Sequence, residues 1–235
     1  MPRVAIVTGG ARGIGEAICG ELEKQGCRVA SLDSVGGGAS VMATLPITCD
    51  VSDFDACAAA VKQVEAALGP VDILVNNAGI VRDAMLHKMT LEQWRAVISV
   101  DMDSLFNMTR QVVGGMRDRG FGRIINISSI NAQKGQLGQT NYCAAKAGML
   151  GFTRALALEC ASKGVTVNAV APGYIDTAML ASVPAPIMDQ IVKSIPVGRI
   201  GHAEEIARCV SFLAADEAGL ITGAVLSANG GMYMS

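Results

Sequence analysis

Short apolar runs alternate with helical patterns along the whole chain. Val4 to Val7, Arg28 to Leu32, Leu45 to Ile47, Val71 to Val75, Arg123 to Ile127, Thr166 to Val170 and Ala224 to Ser227 read as strands. Between them, apolar residues recur three and four apart, as in Ile14, Ala17, Ile18, Leu22 and in Ala60, Val61, Val64, Leu68. Strand followed by helix, repeated, predicts parallel strands joined by crossover helices on both sheet faces. Strands buried on both faces lose the in-out alternation, and Ile124-Ile125-Asn126-Ile127 has that character. The fold class expected is therefore α/β, a Rossmann-like doubly wound sheet forming one domain over 1–235. The glycine triplet at 36–38 reads as a loop inside a crossover. Pro184, Pro186 and Pro196 interrupt the rhythm, so the stretch around 178–200 is expected to be a short lid.

Composition narrows the classes. The 235 residues are 51% hydrophobic and only 17% charged, below the usual ~25%. A disordered chain is excluded, because this sequence has ample apolar surface to bury. The surplus points to subunit interfaces. Nineteen basic residues against 21 acidic ones leave a net charge of −2, so no nucleic-acid footprint is expected. Met1 to Gly10 reads as a strand entering a glycine turn, not as a secretory leader. The charge-free stretch Ala218 to Ser235 contains four glycines and Asn229, so no membrane span is expected. Seven cysteines without a CxxC pair fit free thiols in a reducing cytoplasm, and no metal site is expected.

Thr8-Gly9-Gly10-Ala11-Arg12-Gly13-Ile14-Gly15 joins the first strand to the first helix. Glycines at 9, 13 and 15 allow a tight turn and a close backbone approach to a diphosphate at a positive helix end. Asp33 ends the second strand, 18 residues after Gly15. A carboxylate there can accept from adenosine ribose hydroxyls and would repel a 2′-phosphate, which favours NAD(H) over NADP(H). Arg12 argues the other way, since it can pair with that phosphate. Asp50, followed by Val51, can accept from the adenine amino group or serve the start of the next helix, where Ser52 or Asp53 would cap. Asn76-Asn77-Ala78-Gly79 ends the fourth strand, and is either a cofactor-lining tie between strands or an ordinary turn.

Tyr142 and Lys146 are four apart at the start of a long helical pattern, so they share one face. An ammonium beside the phenol favours the phenolate and is expected to bring its titration nearer to working pH. Ser129 follows the strand ending at Ile127, thirteen residues before Tyr142. Open parallel sheets place their sites at such carboxyl ends.

With TGGARGIG at 8–15, NNAG at 76–79, Ser129 with YCAAK at 142–146, and PGYIDT at 172–177, the chain resembles the short-chain dehydrogenase/reductase family over its whole length. The resemblance implies hydride transfer between a nicotinamide and a carbonyl or alcohol. Tyr142 would be the general acid, Ser129 would hydrogen-bond the carbonyl oxygen, and Lys146 would bind the nicotinamide ribose and ease phenol ionisation. Pro172 and Gly173 would let Ile175 approach the carboxamide, with Thr177 near the pyrophosphate. The family usually has an asparagine where this chain has Asp101, its main-chain carbonyl holding a relay water. A backbone role survives that change, whereas a side-chain role cannot be assumed.

Asn126 to Tyr142 and Arg117 to Arg123 are similar to the acetoacetyl-CoA reductases of polyhydroxybutyrate synthesis within that family. This implies an acyl-CoA thioester substrate, with Gln136, Gln139 and Tyr174 lining the acyl pocket; loop glutamines facing water are the plainer reading. The alternatives are a carrier-protein 3-oxoacyl reductase, an NAD-dependent 3-hydroxyacyl dehydrogenase, and a catalytically silent nucleotide-binding scaffold. Arg119 and Lys163 are the cations available to a carrier protein. The short crossover from Asp33 to Asp50 resembles NAD-dependent relatives. His87 and His202 read as surface or capping residues, and Trp94, with Leu91 and Ile98, reads as core packing. The family resemblance implies a homotetramer.

Overall fold

The computed structural model describes residues 2–35, 44–177, 180 and 184–234. Seven parallel strands form one sheet: β1 (Val4–Thr8), β2 (Arg28–Asp33), β3 (Leu45–Thr48), β4 (Ile73–Asn76), β5 (Gly122–Ile127), β6 (Val165–Pro172) and β7 (Val225–Ala228), in the order β3-β2-β1-β4-β5-β6-β7. The seven expected strands are all present, with ends shifted by a residue or two. Their order reverses between β1 and β4, and the register there pairs Ala5 with Ile73 and Val7 with Val75. Ligands of such sheets bind outside the strand carboxyl ends at this reversal.

The helices are α1 (Gly13–Lys24), α2 (Phe54–Leu68), α3 (Leu91–Ile98), α4 (Ser104–Arg119), the short α5 (Asn131–Lys134), α6 (Thr140–Cys160), α7 (Ala185–Ser194) and α8 (Ala203–Ala214). A π-helical turn, Ser99–Asp103, joins α3 to α4. One core cluster packs α2, α4 and part of α6 on one sheet face, around Ile6, Leu32, Met108 and Ile124. The other packs α1 and α8 on the opposite face, around Ile18, Leu22, Val75 and Val210. β1, β4, β5 and β6 are buried along their full length, which explains their unbroken apolar character.

Local capping fixes the helix starts. The Asp53 carboxylate accepts from the backbone N–H groups of Asp55 and Ala56 at 2.8 and 2.9 Å, so Asp53 is the α2 cap. His202 caps α8, and its N–H donates to Glu205 at 2.9 Å. Two expectations change. The proline-marked stretch holds a ten-residue helix, α7, with Pro184 at its cap and Pro186 in its first turn. Proline is tolerated there because first-turn N–H groups lack intrahelical partners. Residues 178–179 and 181–183 of the expected lid, and the glycine triplet at 36–38, lie outside the described residues. The Trp94 face is also less buried than expected: Val97 is its one buried residue, and Leu91 is 61% exposed. Among the described residues, no helix is long and apolar enough to cross a membrane.

Candidate active site

The glycine turn closes over the carboxyl end of β1. A Cβ on Gly15 would overlap the Gly9 carbonyl oxygen, and one on Gly13 would lie 3.5 Å from Thr177. Thr177 therefore stands over the turn, where the α1 N-terminus presents its free N–H groups. Asn77 ties this end to β4: its side-chain amide donates to the carbonyls of Thr8 and Gly9 at 2.9 and 3.1 Å. The N–H groups of Asn77 and Ala78 both donate to the Thr8 hydroxyl at 3.0 Å. NNAG is thus a strand tie whose last residues line the cleft.

Asp33 sits at the end of β2, its carboxylate accepting from the N–H of Ala11 at 3.4 Å and of Val35 at 3.2 Å. It faces the turn that would carry a diphosphate. Arg12 is exposed at the α1 cap. Asp50 is exposed and holds its own loop, with one oxygen accepting from the Ser52 N–H and hydroxyl at 2.9 and 2.7 Å. Val51 is buried beside it, and its carbonyl accepts from Asn107 at 3.0 Å. A close-approach turn, a helix N-terminus and a carboxylate at the end of β2 suit a dinucleotide, so the residues present fit that cofactor.

Ser129, Tyr142 and Lys146 come together beside Gly79, where an added Cβ would lie 3.2 Å from the Lys146 ammonium. Ser129 is 8% exposed, and its oxygen accepts from the Asn131 N–H at 3.1 Å. Lys146 is 3% exposed; its ammonium donates to the Ile127 carbonyl at 3.0 Å and lies 5.7 Å from the Tyr142 ring centre. Burial pushes the phenol above its usual value near 10; Lys146 pulls it down, Asp101 pushes it up, and the neighbouring Ser129 hydroxyl pulls it down. The ammonium acts in the expected direction, but removal from water outweighs it. This corrects the expectation that the ammonium beside the phenol brings its titration nearer to working pH.

Asp101 contributes its side chain after all. It is wholly buried; one carboxylate oxygen accepts from the Ile80 N–H at 2.8 Å, and the other lies 3.5 Å from the Lys146 ammonium. Burial raises its pKa, and Lys146 and the Ile80 N–H oppose that rise.

Pro172 ends β6, Gly173, Tyr174 and Ile175 follow it, and Ile175 is buried and bridged to Gly201. Gln139 is held at both ends of its amide. Its oxygen accepts from Asn131 at 2.9 Å, and its nitrogen donates to Asp83 at 3.0 Å. Gln136 is half-buried and accepts from Lys134. Both glutamine side chains are thus engaged by protein, Gln139 at both ends of its amide. Tyr174 helps line a cavity of about 540 Å³ with Gly173, Ile175, Ile195, Phe212 and Leu226, beside the β7 edge.

Asn76 is a strand tie, one of the two readings given for NNAG, and it opens a buried polar ladder behind the site whose continuation through Asn126 sequence reasoning missed. Asn76 donates to Asn126, and Asn126 to the Thr153 hydroxyl, each at 2.9 Å. It fixes α6 to β5 and β4. Asn141, also buried, holds the Arg82 carbonyl at 3.0 Å beside the start of α6. Only the polar residues inside apolar strands hinted at these roles.

Residues 9–233 match a family profile described as enoyl-(acyl carrier protein) reductase. The chain belongs to the short-chain dehydrogenase/reductase family. It is 57% identical to the acetoacetyl-CoA reductase of Rhizobium meliloti (strain 1021), with 100% of each chain covered. Identity is 56% to that of Shinella zoogloeoides, over 99% of each. A 3-oxoacyl-[acyl-carrier-protein] reductase of Pseudomonas aeruginosa is 46% identical, over 99% of this chain and 98% of the relative. As a short-chain reductase, the protein is an NAD(P)H-dependent oxidoreductase.

Proposed function

We propose that the protein reduces acetoacetyl-CoA to (R)-3-hydroxybutanoyl-CoA with NADH. The carrying observation is the meeting of Ser129, Tyr142 and Lys146 beside the glycine turn, in a chain whose similar relatives include acetoacetyl-CoA reductases. Bound NADH supplies the hydride. Tyr142 gives its phenolic proton to the ketone oxygen, and Ser129 donates a hydrogen bond to the same oxygen as negative charge develops there. Lys146 holds the cofactor ribose and stabilises the phenolate left behind. The (R) configuration follows from the resemblance to those relatives.

Asp33 supports NADH, since a 2′-phosphate would bring like charge against it. Two features favour CoA over a carrier protein, whose acidic surface needs cations. The Arg119 guanidinium is tied back to the Val71 carbonyl, and Gly120 next to it has no side chain. A homotetramer in the cytoplasm completes the reading.

Rates with acetoacetyl-CoA and with acetoacetyl carrier protein, each with NADH and NADPH, test it. The highest kcat/KM is expected for the CoA thioester with NADH. A carrier thioester turned over more efficiently reassigns the substrate, and an NADPH to NADH ratio well above one reassigns the cofactor.

A further inference from the structure

The Asp101–Lys146 contact joins three elements. Asp101 comes from the π turn between α3 and α4, Lys146 from α6, and Ile80 from the segment after β4. Gly79 closes the cluster: a Cβ there would lie 2.9 Å from the Asp101 carboxylate and 3.2 Å from the Lys146 ammonium. The π turn inserts an extra residue into an otherwise continuous helical run, as such turns often do at functional sites.

We propose that the Asp101 carboxylate is a positioning residue that clamps the Lys146 ammonium and keeps the Tyr142 phenol in its acid form, biasing the site toward ketone reduction. The proposal rests on the reading of Tyr142 as proton donor. Two details show that Asp101 carries charge. One oxygen already accepts an N–H, and the other has no hydrogen-bond acceptor to receive a carboxylic proton, only the ammonium 3.5 Å away. Burying Lys146 without a counter-charge would be costly, and this carboxylate supplies one. The clamp also directs the ammonium. With the Ile127 carbonyl at 3.0 Å and Asp101 on another side, its remaining N–H is left for the cofactor ribose.

The same negative charge opposes phenolate formation. Lys146 attracts the phenolate, whereas Asp101 and Cys143 act against it. Among the described residues, α3 and α4, which flank the π turn, bring no other ionisable group to bear on Asp101. The sign is fixed. Reduction needs the protonated phenol and fades as pH rises through its pKa; oxidation needs the phenolate and appears over the same range. Loss of the charge at 101 lowers that pKa.

Asp101→Asn removes the charge and keeps an oxygen for the Ile80 N–H; Asp101→Ala removes both. The test follows the Tyr142 phenol by NMR in enzyme carrying labelled tyrosine, with Tyr142→Phe assigning its signal among the three tyrosines. The pH profiles of kcat/KM for reduction and oxidation are measured alongside. Asp101→Asn is expected to move the phenol titration, and both profiles, to lower pH by about one pH unit, as for a charge at this range. On the falling limb that is about a tenfold loss of reduction at fixed pH. Asp101→Ala is expected to show the same displacement together with a higher NADH KM. An unmoved titration in Asp101→Asn overturns the proposal, even if kcat falls at every pH. The NMR titration needs no substrate, so it separates this failure from a failure of the substrate assignment.

Discussion

At the residue scale, the site is a set of charges held where water is scarce. Tyr142 and Asp101 both lie near the Lys146 ammonium, which pulls the pKa of each down, while the Asp101 charge pushes that of the phenol up. Spacing along α6 made the Tyr142–Lys146 pair legible, because residues four apart share a helix face. Asp101 was legible only as a departure from a family asparagine. Its inward side chain depends on a π turn, which leaves no mark in hydrophobic periodicity. The resemblance implies an acyl-pocket role for Gln139; its amide donates to Asp83, 56 positions away, a pairing that no local pattern encodes. Asp33 makes a prediction at this scale. Asp33→Ala should raise the ratio of NADPH to NADH efficiency by about tenfold, equivalent to ~1.4 kcal/mol of discrimination. Steady-state kinetics with both cofactors checks it, and an unchanged ratio removes Asp33 from the selection of cofactor.

At the scale of elements, the seven strands were readable because burial on both faces leaves near-continuous apolar runs. Their ends were less so: the run from Val71 begins the strand only at Ile73, since the Asp72 carboxylate accepts from the Val4 N–H at 3.1 Å and holds the entry to β4. Helix α7 was missed for a related reason. Proline reads as a breaker, yet at the first turn of a helix it costs little. The glycine turn between β1 and α1 is the element on which cofactor binding depends. Gly15→Ala places a methyl group against the Gly9 carbonyl, so the turn must open. The NADH Kd is expected to rise by at least about tenfold, ~1.4 kcal/mol, while circular dichroism retains the wild-type helix signal. NADH fluorescence titration checks this; unchanged affinity would move the diphosphate elsewhere.

Over the whole molecule, the sheet gathers strand ends from distant parts of the chain, and both the glycine turn and the triad lie at that rim. The molecule also leaves apolar side chains outside. Phe54 and Phe106 stack with ring centres 5.9 Å apart on α2 and α4, and Leu158 and Phe212 are exposed on α6 and α8. The residues of the edge strand β7 are only half-buried. Apolar surface on several faces fits the proposed tetramer. Sedimentation at micromolar concentration is expected to give four chains per particle; a monomer would leave those faces unexplained. The central claim is that a phenol proton completes reduction of a ketone beside a bound nicotinamide. Its most direct test is acetoacetyl-CoA-dependent NADH oxidation by Tyr142→Phe, with NADH binding measured on the same preparation. Turnover is expected to fall by about a thousandfold or more, ~4 kcal/mol, with NADH still bound. Turnover within tenfold of the parent enzyme would contradict the account.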